Sequence, residues 1–135
     1  MKSLDTNVLL RFFIDDPDDA QCAKQRPRAV EALSERSFVS LTVVLELEWV
    51  LRGFYELAAK DIAQVLQALA GIEHITLEDR DAVLAATAAL EDGLDFADAL
   101  HVARSARASA FVTFDKLLCR RATKLRLMPP VELLG

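Results

Sequence analysis

Hydrophobic residues recur along the chain with two periods, one typical of strands and one of helices. Lys2–Leu4 is a short apolar start that is taken as the first strand. Phe38–Leu41 and Ala110–Phe114 are β-rich runs, and Ile72–Ile75 is a weaker strand candidate. Between these runs, apolar residues at helical spacing predict helices over about 7–14, 17–33, 43–52, 60–69, 79–90, 96–107 and 116–123. Strands that alternate with helices predict an α/β fold, an α/β/α sandwich around a mainly parallel central sheet.

Single residues predict where several of these helices begin or end. Thr42 is a candidate N-cap for the third helix, and Gly53 is a stop signal after it. Asp95 is a candidate N-cap for the helix that starts at Phe96. Pro27 falls inside the second helical segment, where its missing N–H group predicts a break or a kink.

The composition is that of a soluble globular protein. Of the 135 residues, 53% are hydrophobic and 27% are charged, and we expect a single domain over residues 1–135. Two cysteines are too few for a disulfide framework. No apolar run approaches the roughly 20 residues of a membrane-spanning helix. The N-terminus lacks an apolar stretch of signal-peptide type, so we expect a cytoplasmic protein with no membrane partner.

The net charge of −5 argues against a nucleic-acid partner, but the charge is unevenly distributed. Residues 1–99 carry 9 basic and 19 acidic side chains, whereas residues 100–135 carry 7 basic and 2 acidic ones. The basic residues of this second segment, the basic tail, are Arg104, Arg107, Lys116, Arg120, Arg121, Lys124 and Arg126. A local basic surface attracts phosphates whatever the total charge. A solvated helix face explains the same pattern equally well.

Four acidic residues lie where an α/β protein places its chemistry. Asp5 and Asp115 directly follow predicted strands, and ligands of such sheets bind beyond the carboxyl ends of the strands. Glu46 lies one turn into the third helix, and Asp98 lies in the first turn of the helix that starts at Phe96. Carboxylates are hard ligands that suit Mg²⁺ or Mn²⁺. Two such ions activate a water molecule and stabilise the leaving oxygen in phosphodiester cleavage.

Each of these acids also has a structural explanation. Asp5 and Asp115 are placed to cap the helices that follow them. Asp95 supplies the cap of the next helix, which leaves Asp98 among apolar neighbours without a capping role; Asp95 is also an alternative member of the site.

The apolar run around Glu46 predicts that this carboxylate lies near the core. There it needs a metal or a partner, because an unpaired buried charge is costly. Glu48 points to another face and is expected in solvent. Four aromatic residues occur at helical spacing and are expected in the core: Phe12, Phe13, Trp49 and Phe54.

Four blocks of the chain carry a family resemblance. They are Met1–Leu10 with its Asp-Thr-Asn run, Val43–Leu51 around Glu46, Leu94–Ala103 with Asp-Phe-Ala-Asp-Ala-Leu, and Phe111–Asp115. In this order they resemble the signature blocks of the PIN domain, and more narrowly those of VapC-type toxins of prokaryotic toxin–antitoxin pairs. The resemblance extends over essentially the whole chain.

The resemblance implies a Mg²⁺- or Mn²⁺-dependent endoribonuclease that acts on RNA. It also implies a cognate antitoxin that masks the site, and a homodimer. The residues that match the family's acidic quartet are Asp5, Glu46, Asp98 and Asp115. The residues that match the neighbouring polar positions are Thr6 or Asn7, and Thr113. From the basic tail, the candidates for contact with the substrate are Arg104, Arg107, Arg120 and Arg121.

Other functions fit the sequence less well. The main alternative is a PIN-like module that binds RNA or a protein without cutting, and a buried Glu46 argues against it. A phosphatase of the haloacid dehalogenase type needs a second Asp two residues after the first, where this chain has Asn7. A receiver domain needs an acidic pair after its first strand, which is absent.

Overall fold

The computed structural model describes residues 1–135 and contains seven α-helices and five short strands. The elements are β1 (Lys2–Ser3), α1 (Thr6–Phe13), α2 (Ala20–Leu33), β2 (Ser37–Val39), α3 (Leu41–Gly53), α4 (Ala59–Ala70), β3 (Ile75–Leu77), α5 (Arg80–Glu91), α6 (Phe96–Ala103), β4 (Phe111–Thr113), α7 (Lys116–Lys124) and β5 (Val131–Leu133). Every strand pair is parallel, which confirms the predicted α/β class with parallel strands. The chain divides into two compact units, residues 1–80 and residues 81–135.

The first unit is built on a three-stranded sheet in the order β1-β2-β3. In the central strand, Ser37 pairs with Lys2 on one side and with Ile75 on the other. α1 packs against α2 and α3, and α3 packs against α4. The core of this unit includes Leu9, Val39, Val44, Leu47, Leu51, Ile62, Leu66 and Leu69. Because β1 and β2 are parallel neighbours, the chain leaves both strands at the same edge of the sheet.

The second unit contains α5, α6, α7 and a two-stranded sheet of β4 and β5. Phe111 pairs with Val131, and Thr113 pairs with Leu133. α7 packs against both strands. The largest buried side chain is Phe96, at the first position of α6. β5 is an element that the hydrophobic pattern did not predict.

The third strand and the third helix begin at other residues than the pattern predicted. The strand expected over Ile72–Ile75 forms at Ile75–Leu77. α3 begins at Leu41, and its N-cap is Ser40, whose Oγ accepts a hydrogen bond from the backbone N–H of Val43 at 3.3 Å. The predicted cap at Thr42 is therefore wrong. β2 ends at Val39, so the first hydroxyl after the strand takes the capping position.

α2 runs without interruption through Pro27, and the predicted break is wrong. The helix begins at Ala20, after an N-cap by Asp19 that accepts hydrogen bonds from two backbone N–H groups. Its buried residues are Cys22, Ala29 and Leu33. Packing along this stripe holds the helix together although Pro27 donates no hydrogen bond.

None of the seven helices combines the length and apolarity that a membrane crossing requires.

Candidate active site

Asp5 follows β1 and caps α1. The backbone N–H of Leu4 donates to the carbonyl of Phe38 at 2.9 Å, so pairing with β2 continues up to the residue before Asp5. Asp5 Oδ1 accepts a hydrogen bond from the backbone N–H of Thr6 at 2.8 Å, and the side chain is exposed. Asp5 therefore caps α1 through Oδ1, and its Oδ2 remains available to a ligand.

α3 presents Glu46 to solvent and buries Glu48, the reverse of the prediction. The buried stripe of α3 consists of Val44, Leu47, Glu48 and Leu51. This spacing is that of one helix face, and Glu46 lies on another face. The buried carboxylate is paired with Arg52, whose Nε lies 3.0 Å from Glu48 Oε2.

Two aromatic residues, one on α3 and one directly after it, are not in the core. Trp49 and Phe54 are 63% and 76% exposed, so their predicted burial is wrong.

The argument that a buried Glu46 excludes a non-cutting module also fails, because Glu46 is exposed.

Three carboxylates belong to the second unit. Asp95 caps α6 by accepting a hydrogen bond from the backbone N–H of Asp98 at 3.1 Å. Asp115 follows β4 and caps α7, where its Oδ1 accepts from the backbone N–H of Leu118 at 3.0 Å. Asp98, in the first turn of α6, caps nothing and is half-buried.

Electrostatic interactions join these three carboxylates into one group, the acidic cluster (Asp95, Asp98 and Asp115). Partial burial is the main reason why the pKa of Asp98 lies above its ordinary value. The carboxylates of Asp95 and Asp115 raise this pKa further, whereas His101 lowers it. Asp98 thus stands in a field of negative charge that a cation would relieve.

The predicted polar neighbours lie in different environments. Thr6 is buried, and its Oγ1 has no hydrogen-bond partner. Asn7 is exposed. Thr113 Oγ1 accepts a hydrogen bond from the backbone N–H of Asp115 at 3.0 Å, so it positions the residue that follows β4.

The basic tail consists of exposed side chains, several of them on α7. Arg121 Nη1 donates to the carbonyl oxygen of Gly93 at 2.7 Å, so this residue contributes to structure. Arg107 and Arg120 are exposed.

Two arginines of the first unit were not among the predicted site residues. Arg11 and Arg28 line a cavity between α1 and α2. Counting charge by segment hid them, because residues 1–99 are acidic as a whole.

The carboxylate oxygens are donors of the type that binds a hard divalent cation. Neither unit taken alone groups three or more His, Cys, Asp or Glu side chains into a metal site. The donors present are oxygen atoms, which Mg²⁺ and Mn²⁺ prefer. In Asp5 and Asp115 the cap occupies one oxygen, and Oδ2 accepts no hydrogen bond from the protein. The like charges of the acidic cluster also fit a bound cation.

Comparison with known proteins gives one family. A family model described as PIN domain matches residues 3–124. The match includes all four acids of the quartet and ends before β5. No curated protein sequence matches the chain.

Proposed function

The chain belongs to the PIN domain family, and from this membership we propose that it is a Mg²⁺- or Mn²⁺-dependent endoribonuclease that hydrolyses RNA phosphodiester bonds. PIN domains are typically metal-dependent nucleases, and the family implies a nucleic-acid substrate. The family membership is the observation that carries the proposal. The acidic cluster supports it, because burial and two neighbouring carboxylates raise the pKa of Asp98, and a bound cation would relieve the repulsion.

We assign Asp5, Asp98 and Asp115 to holding the cation, and Glu46 to holding either the cation or the water beside it. A divalent cation bound there supplies the positive charge that activates a water molecule and stabilises the leaving oxygen. The caps fix Asp5 and Asp115 through Oδ1, so each Oδ2 has a defined direction. No histidine or lysine is needed as a general base.

We propose further that this nuclease is the toxin of a toxin–antitoxin pair. The support is the likeness of its sequence blocks to VapC-type toxins. A cognate antitoxin then masks the acids, and the protein acts in the cytoplasm as a homodimer. Induced expression should arrest growth, and co-expression of a cognate antitoxin should restore it. Sequencing of RNA fragments after induction would identify the substrate.

Cleavage of labelled RNA, in Mn²⁺ and in excess EDTA, tests the nuclease proposal. Asp5→Asn and Asp98→Asn should each lower the rate by about 100-fold or more, because each removes a ligand charge. Asp5→Asn retains a capping side chain, so the fold is preserved. Asp92→Asn is the matched control, since Asp92 is exposed and outside the quartet.

Two results would contradict the nuclease assignment. One is full cleavage by Asp5→Asn or in EDTA. The other is RNA binding with no cleavage in Mn²⁺, which would support the non-cutting module instead.

A further inference from the structure

A cavity of the first unit has no role in the reaction proposed above. It lies between α1 and α2 and has a volume of about 360 Å³. The side chains that line it include Asn7, Arg11, Gln25 and Arg28, with Val8 and Ala29 among the apolar ones. A volume of this order is that of a small-ligand site, about 300–1,000 Å³.

The cavity concentrates positive charge in an acidic unit. Residues 1–80 carry 9 basic and 14 acidic side chains, yet no acidic residue lines the cavity. Arg11 Nε donates to Gln25 Oε1 at 2.9 Å, which orients its guanidinium group. Neither Arg11 nor Arg28 forms an ion pair. Two unneutralised guanidinium groups beside one cavity favour an anionic ligand.

The lining chemistry fits a phosphodiester, and the proposed ribonuclease function favours this anion over a carboxylate. The fork of an arginine side chain matches the oxygen atoms of a phosphate in two-point contact. The Asn7 amide adds a further donor, and the apolar lining residues suit a sugar or a base. Asn7 lies two residues after Asp5, and Arg11 lies about 6 Å further along α1. The cavity thus extends along α1 from a candidate catalytic acid.

We propose that this cavity binds the phosphate backbone of the RNA strand next to the bond that is cut. The proposal rests on the proposed endoribonuclease function, and it identifies Arg11 and Arg28 as substrate-binding residues outside the basic tail.

Binding of a fluorescein-labelled single-stranded RNA to the full chain tests the proposal. Anisotropy is measured in EDTA, so that no RNA is cut, at several salt concentrations. Arg28→Gln should weaken binding several-fold and reduce the slope of log K against log salt by about 0.7, the value for one phosphate contact of a single strand. Arg11→Gln should do the same, with thermal melting to verify its fold. The matched control is Lys24→Gln, one turn earlier on α2, exposed and outside the cavity.

Unchanged slopes for both arginine variants would overturn the proposal, as would an equal effect of Lys24→Gln. Competition by a 5′-mononucleotide as strong as that by RNA would also overturn it, because the ligand would then be a free nucleotide. Cleavage assays separate the two proposals. If wild type cuts RNA and Arg28→Gln raises KM with kcat retained, both hold. If wild type binds RNA through the arginines but does not cut it, only the nuclease assignment fails.

Discussion

Glu48 is a carboxylate in the buried stripe of α3, and Arg52 one turn later supplies its counter-charge. A buried carboxylate costs free energy unless it is paired. Arg52 itself is 49% exposed, so solvent screens part of the interaction. The pair belongs to the stability of the first unit, whereas Glu46, on the other face of the same helix, is available to chemistry.

Arg52→Ala should lower the free energy of unfolding by about 2 kcal/mol, less than for a fully buried pair because of the screening. Urea unfolding measures the loss. Arg36→Ala, another exposed arginine of the same unit, is the control and should change stability by less than about 0.5 kcal/mol. Replacing Glu48 by Leu in the Arg52→Ala background should recover most of the loss. Equal losses in Arg52→Ala and Arg36→Ala would contradict the pairing argument.

The raised pKa of Asp98 implies that the stability of the fold depends on pH. A folded-state pKa above the unfolded value of about 4 means that the folded state binds more protons. The contribution of Asp98 to stability is then fully present below pH 4 and is lost as the pH rises through the raised pKa. Asp98→Asn should therefore be more stable than wild type in EDTA at neutral pH and melt at a higher temperature. The gain should stay below about 1 kcal/mol, because solvent screens this partly exposed carboxylate. The difference should vanish near pH 4.

Thermal melts at both pH values, with EDTA and with Mn²⁺, measure this effect. Mn²⁺ should stabilise wild type much more than Asp98→Asn, because a ligand stabilises the state that binds it. Asp92→Asn should follow wild type throughout. A lower melting temperature for Asp98→Asn in EDTA, with equal shifts by Mn²⁺, would make Asp98 a structural residue.

At the scale of elements, the same residues cap helices and are candidates for catalysis. Asp115 shows how the two roles can be separated. Asp115→Ala should lose about 1 kcal/mol with the cap of α7, whereas Asp115→Asn should keep the cap and stay within about 0.5 kcal/mol of wild type. Both variants should lose cleavage if Asp115 holds the cation. Chemical denaturation of the two variants measures the cap, and the RNA cleavage assay measures the catalytic role. Cleavage by Asp115→Asn at the wild-type rate would leave Asp115 with the cap alone.

The helix caps predicted at aspartates form, whereas the cap predicted at the hydroxyl of Thr42 does not. Asp95 was predicted as a cap and is one. Thr42 was predicted as the cap of α3 because the second strand was expected to extend to Leu41, two residues beyond its end at Val39. The sequence also could not predict which glutamate of α3 is buried, because apolar residues flank both Glu46 and Glu48. Only the helix phase, set by packing against α1 and α4, decides which one is buried.

At the scale of the whole molecule, an acidic protein must attract a polyanion through local surfaces. Charge reversal of Arg107 or Arg120 should weaken RNA binding and reduce its salt slope by about 0.7–1 for each lost contact. These two are the informative positions of the basic tail, because Arg121 also bonds Gly93. Anisotropy at several salt concentrations measures the slope. An unchanged slope for both would mean that the basic tail is a solvated face.

The pattern of alternating strands and helices was sufficient to predict the α/β class. It did not predict β5, since Val131–Leu133 is a short run after two prolines and becomes a strand only by pairing with β4. The arginines of the α1–α2 cavity were equally hidden, because their proximity depends on how two helices pack. Long-range contacts of this kind leave no local pattern in a single sequence.

The late strand β5 has a practical consequence for where the domain can be trimmed. The family match stops at Lys124, yet β4 has its hydrogen-bonded neighbour at Val131–Leu133. A protein shortened to the matched region would leave β4 without its neighbouring strand. Asp115 lies two residues after the end of β4. The end of the family match therefore differs from the end of the folded unit. By pairing with β4, the residues of β5 support the strand that precedes Asp115. An expression boundary for this chain belongs after Leu133.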